Sequence, residues 1–313
     1  MAQRFLVTGG AGFIGSSVVR RLLADGNEVS VLDNFSTGRR SNLAGIEDDI
    51  LLWEGDLRSY ERVHNAVKGC DLVIHLGALP SVPRSVADPL TTNDVNVNGT
   101  LNVLLAARDN GIKRVVFASS SSVYGANAAM PKVETLLPRP ISPYGVSKLA
   151  AESYCLAYME VYGIEAVPLR YFNVFGPRQD PASQYSAVIP KFIRGALCGQ
   201  APIICGDGKQ IRDFTYIDNV VQATLKAALV PGAAGHAMNV ACGDSIVLLD
   251  VVRIIGEALG IDIVPEFGEP RLGDIRESVA DISLARELLG YEPTVSFEEG
   301  VHRTVAYIRD TEA

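Results

Sequence analysis

Cysteine, basic charge and long apolar runs are all scarce in this chain, and each shortage removes a class of function. Only five cysteines occur among 313 residues. Cys70, Cys155, Cys198, Cys205 and Cys242 are odd in number, widely spaced and free of any C-x-x-C pair, a pattern of reduced, buried thiols rather than of a disulfide framework or a zinc site. A formal charge of -8 and a pI near 5.1 argue against a nucleic-acid or anionic-membrane surface, while leaving room for a local basic pocket that takes a small anion. No apolar stretch reaches the roughly 18 residues of a membrane span, and no signal peptide precedes the first apolar run, so a cytoplasmic protein with no membrane partner is expected. His64, His75, His236 and His302 share no ligand spacing; they are read as structural, and no metal is expected. Internal repeats and low-complexity tracts are absent as well. What is present is ordinary for a globular protein, 48% hydrophobic and 20% charged residues, in a chain long enough for one large domain or two interdigitated ones.

Through the first half, short apolar runs alternate with helical patterns. RFLVT, EVSVLD, DILLWEGD, DLVIHLGA and RVVFASSS read as strands, and FIGSSVVRRLLADG, RSYERVHNAVKG and VNVNGTLNVLLAARDNG as the helices between them. Strands apolar on both sides need cover on both faces, which predicts an α/β protein with a doubly wound parallel sheet. PYGVSKLAAESYCLAYMEVYG then reads as a helix and EAVPLRYFNV as a strand. After about Gly176 the composition turns to loops and the alternation is lost, although FTYIDNVVQATLKAALV and HAMNVACG read as one more sheet-covering helix and strand. The expected division is a Rossmann-like domain of residues 1–175 with 213–243, and a smaller C-terminal α/β substrate domain of residues 176–212 with 244–313.

The stretch TGGAGFIG, following the strand RFLV, places a glycine-rich turn where a strand hands over to a helix, which is where a dinucleotide pyrophosphate sits. Gly9 permits the tight turn, Gly12 lets the backbone approach the phosphates, and Gly15 allows the helix to pack closely on its strand. The next strand ends on Asp33, close to the distance at which a carboxylate grips the adenosine ribose. A free 2′-hydroxyl suits that acid, so NAD is favoured over NADP.

Tyr144 and Lys148 stand four apart in ISPYGVSK and share one helical face. A phenol titrates near about 10 and is a poor base at neutral pH unless cations such as an adjacent ammonium stabilise its phenolate. Y-x-x-x-K also occurs in unrelated helices, so the pair alone assigns nothing. Ser119, Ser120, Ser121 and Ser122 follow the strand RVVFA and lie at the carboxyl end of the sheet, where open α/β folds bind ligands; for Ser119 and Ser122 a plain turn is an equal reading.

Taken together, TGGAGFIG, VLDNFSTG, GDL, HLGA, VNVNGT, SSSSVYG, SPYGVSK, LRYFNVFGPRQDP, GDGKQIRDFTYIDN and PRLGDIRESVADIS resemble, in order and over nearly the whole chain, the extended short-chain dehydrogenase/reductase family, and within it the nucleotide-sugar 4-epimerases. The resemblance implies Ser120, Tyr144 and Lys148 as the catalytic set. It implies NAD contacts from Gly9, Gly12, Phe13, Ile14, Gly15, Asp33, Asn34, Ser36, Gly38, Asp56, Leu57, Leu76, Ala78, Asn96 and Lys148. Gly77 departs from the family, which more often has alanine beside the cofactor. For the substrate, a UDP-sugar, it implies Asn173, Val188, Arg212, Arg271 and Asp274, together with Ser120, Ser121 and Tyr144; paired arginines suit a diphosphate because their planar donors grip it from two sides. Arg84 in SVPRS lines the same pocket or serves structure.

The reaction implied is inversion at C4 of a UDP-hexose through a 4-keto sugar, Tyr144 taking the hydroxyl proton. Related dehydratases place Asp-Glu directly after the catalytic position, and decarboxylases place a glutamate two residues before the tyrosine of the VYG motif. Here those places hold Ser121 and Ser122, which cannot do a carboxylate's acid–base work. Ser278 falls at the family's gatekeeper beside C2 and leaves room for an acetamido group, although it reads equally as a neutral loop serine. UDP-N-acetylglucosamine and UDP-N-acetylgalactosamine are therefore the expected pair, UDP-glucose and UDP-galactose further candidates, and a uronate 4-epimerase the alternative, ahead of a dehydratase, a decarboxylase or a non-catalytic dinucleotide-binding protein of the same fold, which would not need Ser120, Tyr144 and Lys148 together. VNVNGTLNVLLAARDNG and YGVSKLAAESYCLAYMEVYG carry more apolar surface than one sheet face requires, so a homodimer through these helices is expected by the same resemblance, with a larger internal core as the other reading.

Overall fold

The computed structural model describes residues 2–180, 188–269 and 276–312. Its centre is a seven-stranded parallel sheet built from β1 (Arg4–Thr8), β2 (Glu28–Asp33), β3 (Ile50–Glu54), β4 (Leu72–His75), β5 (Arg114–Ser120), β6 (Glu165–Tyr171) and the late strand Met238–Val240. From one edge the order is Met238–Val240, β6, β5, β4, β1, β2, β3, so the topology reverses between β1 and β4 and opens a crevice at their carboxyl ends. The doubly wound α/β sheet expected from the alternation is the one observed.

Alternate residues of each strand enter two separate cores. Leu6, Val73, Val115 and Phe117 face Val63, Val103, Leu104 and Ala151 on one side. Phe5, Val7, Ile74 and Val116 face Val18 and Val220 on the other, and that core continues without a break into Ile189, Val251 and Phe297 of the later segments. All seven residues of β5 are buried, as a strand flanked and covered on every side requires.

Two helix starts aim the chemistry. The helix Pro143–Tyr162 begins where the Ser142 hydroxyl accepts from the Gly145 amide and proline occupies the first turn, and it stops at the left-handed Gly163. Tyr144 therefore lies in its first turn and Lys148 in the next. Ahead of the helix Gly99–Asp109, residues Asp94–Asn98 form a widened π turn, and Asn96 sits within it.

Beyond β6, Ile211–Arg212 pairs antiparallel with Ile246–Val247 and parallel with Glu277–Ser278. The five thiols are free, but only Cys155 is buried as expected; Cys70, Cys205 and Cys242 are half-buried, and Cys198 is exposed because it follows the last turn of the amphipathic helix Val188–Leu197. The helix Gly99–Asp109 buries Val103, Leu104, Ala106 and Ala107 while Leu101 and Leu105 stay half-buried, and the helix Pro143–Tyr162 leaves Val146, Tyr154, Val161 and Tyr162 exposed. No helix among the described residues is long and apolar enough to cross a membrane.

Candidate active site

The glycine turn is a set of backbone contacts that leave no space for side chains. Gly9 has φ +68°, donates to the Leu32 carbonyl at 2.8 Å, and would place a Cβ 2.8 Å from the backbone of Gly77. A Cβ on Gly15 would lie 2.1 Å from the Gly9 carbonyl oxygen, so Gly15 is required by the turn folding back over the helix and not by helix–strand packing. Gly10, which spacing did not single out, would strike the Val31 side chain at 2.7 Å. Gly12 caps the helix Phe13–Ala24 and no side chain satisfies its first turn, so the amides around Phe13 and Ile14 and the positive end of the helix dipole are available to an anion.

Asp33 ends β2 with its carboxylate buried. It accepts from the amides of Ala11 at 2.9 Å and Phe35 at 2.8 Å, tying the glycine turn to the loop that follows β2. Gly38 packs against the same carboxylate, both of whose oxygens would lie 2.9 Å from a Cβ there. Burial raises the Asp33 pKa against the pull of the Phe35, Ala11 and Asn34 amides, and a carboxylate has acceptor capacity beyond these for ribose hydroxyls. Asn34 links Ser36, whose amide it accepts at 3.1 Å, to Asp56 at 2.9 Å. The Arg58 guanidinium holds Asp56 down at about 2. Leu57 lies beneath Gly77, its Cδ1 2.9 Å from where a Cβ would stand. Leu76 and Ala78 occupy the half-buried loop after β4, anchored where the Leu76 amide donates to Thr8.

Ser120, Tyr144 and Lys148 come together at the carboxyl end of β5. Burial raises the Tyr144 pKa, and the hydroxyl of Ser120 is the hydrogen-bond partner that pulls it back. Ser120 also accepts from the Ser122 amide at 3.1 Å, which holds it at the mouth of a short turn formed by Ser121–Val123. Lys148 donates to the Ala118 carbonyl at 2.8 Å and stands 5.0 Å from the centre of the Phe117 ring. Burial lowers its pKa to about 8. Ser119 points to the other side of the strand and donates to Glu152 at 2.5 Å, which resolves its open reading as structural.

Asn96 spends its side chain on architecture. Its oxygen accepts from the Leu79 amide at 2.7 Å, while its nitrogen donates to the Leu79 carbonyl at 3.1 Å and to Ser147 at 3.0 Å, clamping the loop after β4 to the helix of Tyr144. Below it, Thr100 donates to the Asn96 carbonyl at 2.6 Å and must therefore accept from His75 Nε2, 3.0 Å away. His75 Nδ1 is then the acceptor for Thr8 at 2.7 Å, which fixes the neutral Nε2–H tautomer. Burial and nearby Lys148 lower its pKa to about 3, so His75 stays uncharged, a structural role as expected.

On the substrate side, Arg212 and Ser278 are register partners in neighbouring parallel strands. Asn173, with φ +33°, donates to the Asp213 carbonyl at 2.8 Å and so anchors the Arg212 strand to the end of β6. Arg84 lies half-buried on the short helix Val82–Ala87, and Val188 opens the helix Val188–Leu197. Arg271 and Asp274 lie outside the described residues. Phe117, Ser147, Glu152 and Gly10 are the side chains and contacts that sequence reasoning missed. Glu152 had a signal, since it stands four residues beyond Lys148 on the same helical face.

The profile of the NAD dependent epimerase/dehydratase family matches residues 5–241. The chain belongs to that family. A UDP-glucose 4-epimerase of Mycolicibacterium smegmatis is 39% identical to it over 320 aligned positions, covering 98% of this chain and 99% of the relative. Among solved structures, the UDP-glucose 4-epimerase of Thermotoga maritima with UDP-glucose superimposes with a TM-score of 0.95 at 38% identity, over 99% of this chain and 100% of the other. The UDP-N-acetylglucosamine 4-epimerase of Methanobrevibacter ruminantium M1, in complex with UDP-N-acetylmuramic acid, superimposes with a TM-score of 0.94 at 41% identity, over 99% of each chain.

The epimerase/dehydratase family takes NAD, and the residues of this member fit it. A cradle that any Cβ at Gly9 or Gly15 would fill, an uncapped helix start and a buried carboxylate with open acceptor positions suit the pyrophosphate and the adenosine ribose respectively.

Proposed function

We propose that the chain inverts C4 of a UDP-hexose, with UDP-N-acetylglucosamine and UDP-N-acetylgalactosamine as the preferred pair and UDP-glucose and UDP-galactose as further substrates. The reading is carried by one observation: Tyr144 faces a hydroxyl partner, Ser120, at the end of β5 while Lys148 is held by Ala118 on the same strand. When bound, NAD supplies a hydride acceptor that gives its hydride back. Tyr144 takes the proton of the 4-hydroxyl and later returns it, with Ser120 aligning that oxygen and the Lys148 ammonium stabilising the phenolate. Arg212 holds the diphosphate, so binding energy far from C4 keeps the 4-keto sugar captive while the hexose turns.

Ser121 and Ser122 support epimerisation over dehydration or decarboxylation, because neither supplies a carboxylate beside the reacting sugar. Asn173, Val188, Arg271, Asp274 and Arg84 complete the proposed nucleotide-sugar site. In the same reading, residues 1–175 with 213–243 bind the dinucleotide and residues 176–212 with 244–313 bind the nucleotide sugar. The active form is a cytoplasmic homodimer.

Incubating the purified chain with NAD and a panel of UDP-sugars tests the proposal. Interconversion of the two N-acetylated sugars is expected. A 4-keto-6-deoxy product or a UDP-pentose would replace the epimerase reading with a dehydratase or a decarboxylase, and turnover confined to UDP-glucuronate would replace the substrate.

A further inference from the structure

A buried chain of polar side chains joins the strand of Ser120 to the strand of Ser278. On β6, Arg170 grips Glu152 through two charge-assisted hydrogen bonds, at 2.6 Å and 3.1 Å. Glu152 lies one turn beyond Lys148 and also receives the hydroxyl of Ser119, the neighbour of Ser120. Arg170 donates in addition to the Tyr124 hydroxyl at 2.9 Å. An arginine can only donate, so the phenolic hydrogen must go to the Asn239 side-chain oxygen, 2.7 Å away. That fixes the Asn239 amide and aims its two N–H bonds at the carbonyls of Lys132, 2.9 Å, and Asp281, 3.0 Å. Tyr124 and Asn239 are both buried.

Lys132 and Asp281 bracket the segment that carries Ser278. The Lys132 amide donates to Val279 at 2.8 Å and the Asp281 amide returns to the Lys132 carbonyl at 2.9 Å. On the opposite side, the Asp213 amide donates to the Ser278 carbonyl at 2.9 Å, and the Asp213 carboxylate accepts from Ala280 at 3.2 Å. Ser278 is thus held between the Ile211–Arg212 strand with Asp213 on one flank and, on the other, Lys132, to which the Tyr124–Asn239 link is tied.

We propose that Tyr124 and Asn239 are positioning residues for sugar selection, holding the wall beside C2 at a fixed distance from the serine beside C4. The inference rests on the reading of Ser278 as that wall. Removing the Tyr124 hydroxyl leaves a buried guanidinium N–H and a buried amide oxygen without that partner, which loosens the Asn239 side chain that bridges Lys132 and Asp281.

Calorimetric affinities of UDP, UDP-glucose and UDP-N-acetylglucosamine for the NAD-loaded Tyr124→Phe and Asn239→Ser variants test this without needing turnover. The expected result is a change of about tenfold in the ratio of the two sugar affinities, with UDP alone held as before. Equal weakening of UDP and both sugars, or a lower Tm with an unchanged ratio, overturns the proposal. Ser278→Tyr separates the layers. If it shifts the ratio and Tyr124→Phe does not, the positioning role falls and the wall stands; if neither shifts it, the wall reading falls and takes the positioning role with it. Should Asn239→Ser fail to fold, Tyr124→Phe, which deletes a single oxygen, decides the question.

Discussion

Gly15 lies so close against Gly9 that a methyl group on it would stand 2.1 Å from the Gly9 carbonyl oxygen, a separation that backbone cannot relieve without opening the turn. Gly12 is less constrained, with 3.1 Å to the same oxygen. Overpacking of this kind costs about 1–3 kcal/mol. Gly15→Ala is therefore expected to weaken NAD binding by about tenfold or more, and Gly12→Ala by clearly less. Fluorescence titration with NAD checks the order, and equal affinities in the two variants would remove the turn from the binding site.

Tyr144→Phe deletes the group that exchanges the proton and leaves the ring in place. Turnover is expected to fall by about 10³-fold while UDP-sugar affinity stays within about twofold. Stopped assays of product together with calorimetric binding separate the two quantities. Normal turnover in this variant excludes Tyr144 as the base.

Asp213 makes the stability of the fold depend on pH. It is completely buried, and although it accepts from the amides of Cys242, Gly243 and Ala280, burial outweighs them and raises its pKa from 3.8 to about 7. The folded protein then holds this proton more tightly than the unfolded chain, so the associated stability is fully present below pH 3.8 and is lost as pH rises through about 7. The displacement corresponds to about 4 kcal/mol. Chemical denaturation from pH 5 to pH 8 should show the wild type losing stability relative to Asp213→Asn, whose side chain does not titrate; parallel curves would refute the buried acid.

The sheet was legible because its strands are short apolar runs with glycine, proline or polar boundaries, and EVSVLD and RVVFASS needed no tertiary information to be recognised. Tyr144 and Lys148 were legible for a related reason, since spacing on a capped helix is a local property. Three features were not. The π turn around Asn96 leaves no periodic mark, because VNVNG continues a helical pattern without a break. Gly15 was noticed for the wrong contact, since only the folded turn reveals which backbone it meets. The link from Tyr124 through Asn239 to Asp281 joins residues 115 and then 42 positions apart, and nothing in the local composition of YG or NVA announces a partner.

The helix that carries Tyr144 and Lys148 has a second face left exposed among the described residues. Val146, Tyr154 and Val161 are 51%, 41% and 68% exposed and recur at seven- or eight-residue intervals, which places them along one stripe. Val82, Val86 and Leu90 extend the apolar surface on the short helices packed beside it. Lys148 and Cys155 lie on the buried side of the helix, turned well away from Tyr154 and Val161, so a change at those two positions leaves the catalytic side untouched. On the proposed homodimer reading this apolar surface is the interface, and a second copy of the chain would bring an identical stripe to it. Light scattering at micromolar concentration should return the mass of two 33.5 kDa chains for the wild type and of one chain for the double variant Tyr154→Glu, Val161→Glu. Two buried carboxylates on each side of a symmetric contact repel and cannot shed their solvation cost, which is why the pair is expected to separate the subunits completely. A wild type that scatters as a single chain, or a double variant that stays paired, assigns the stripe to something other than self-association.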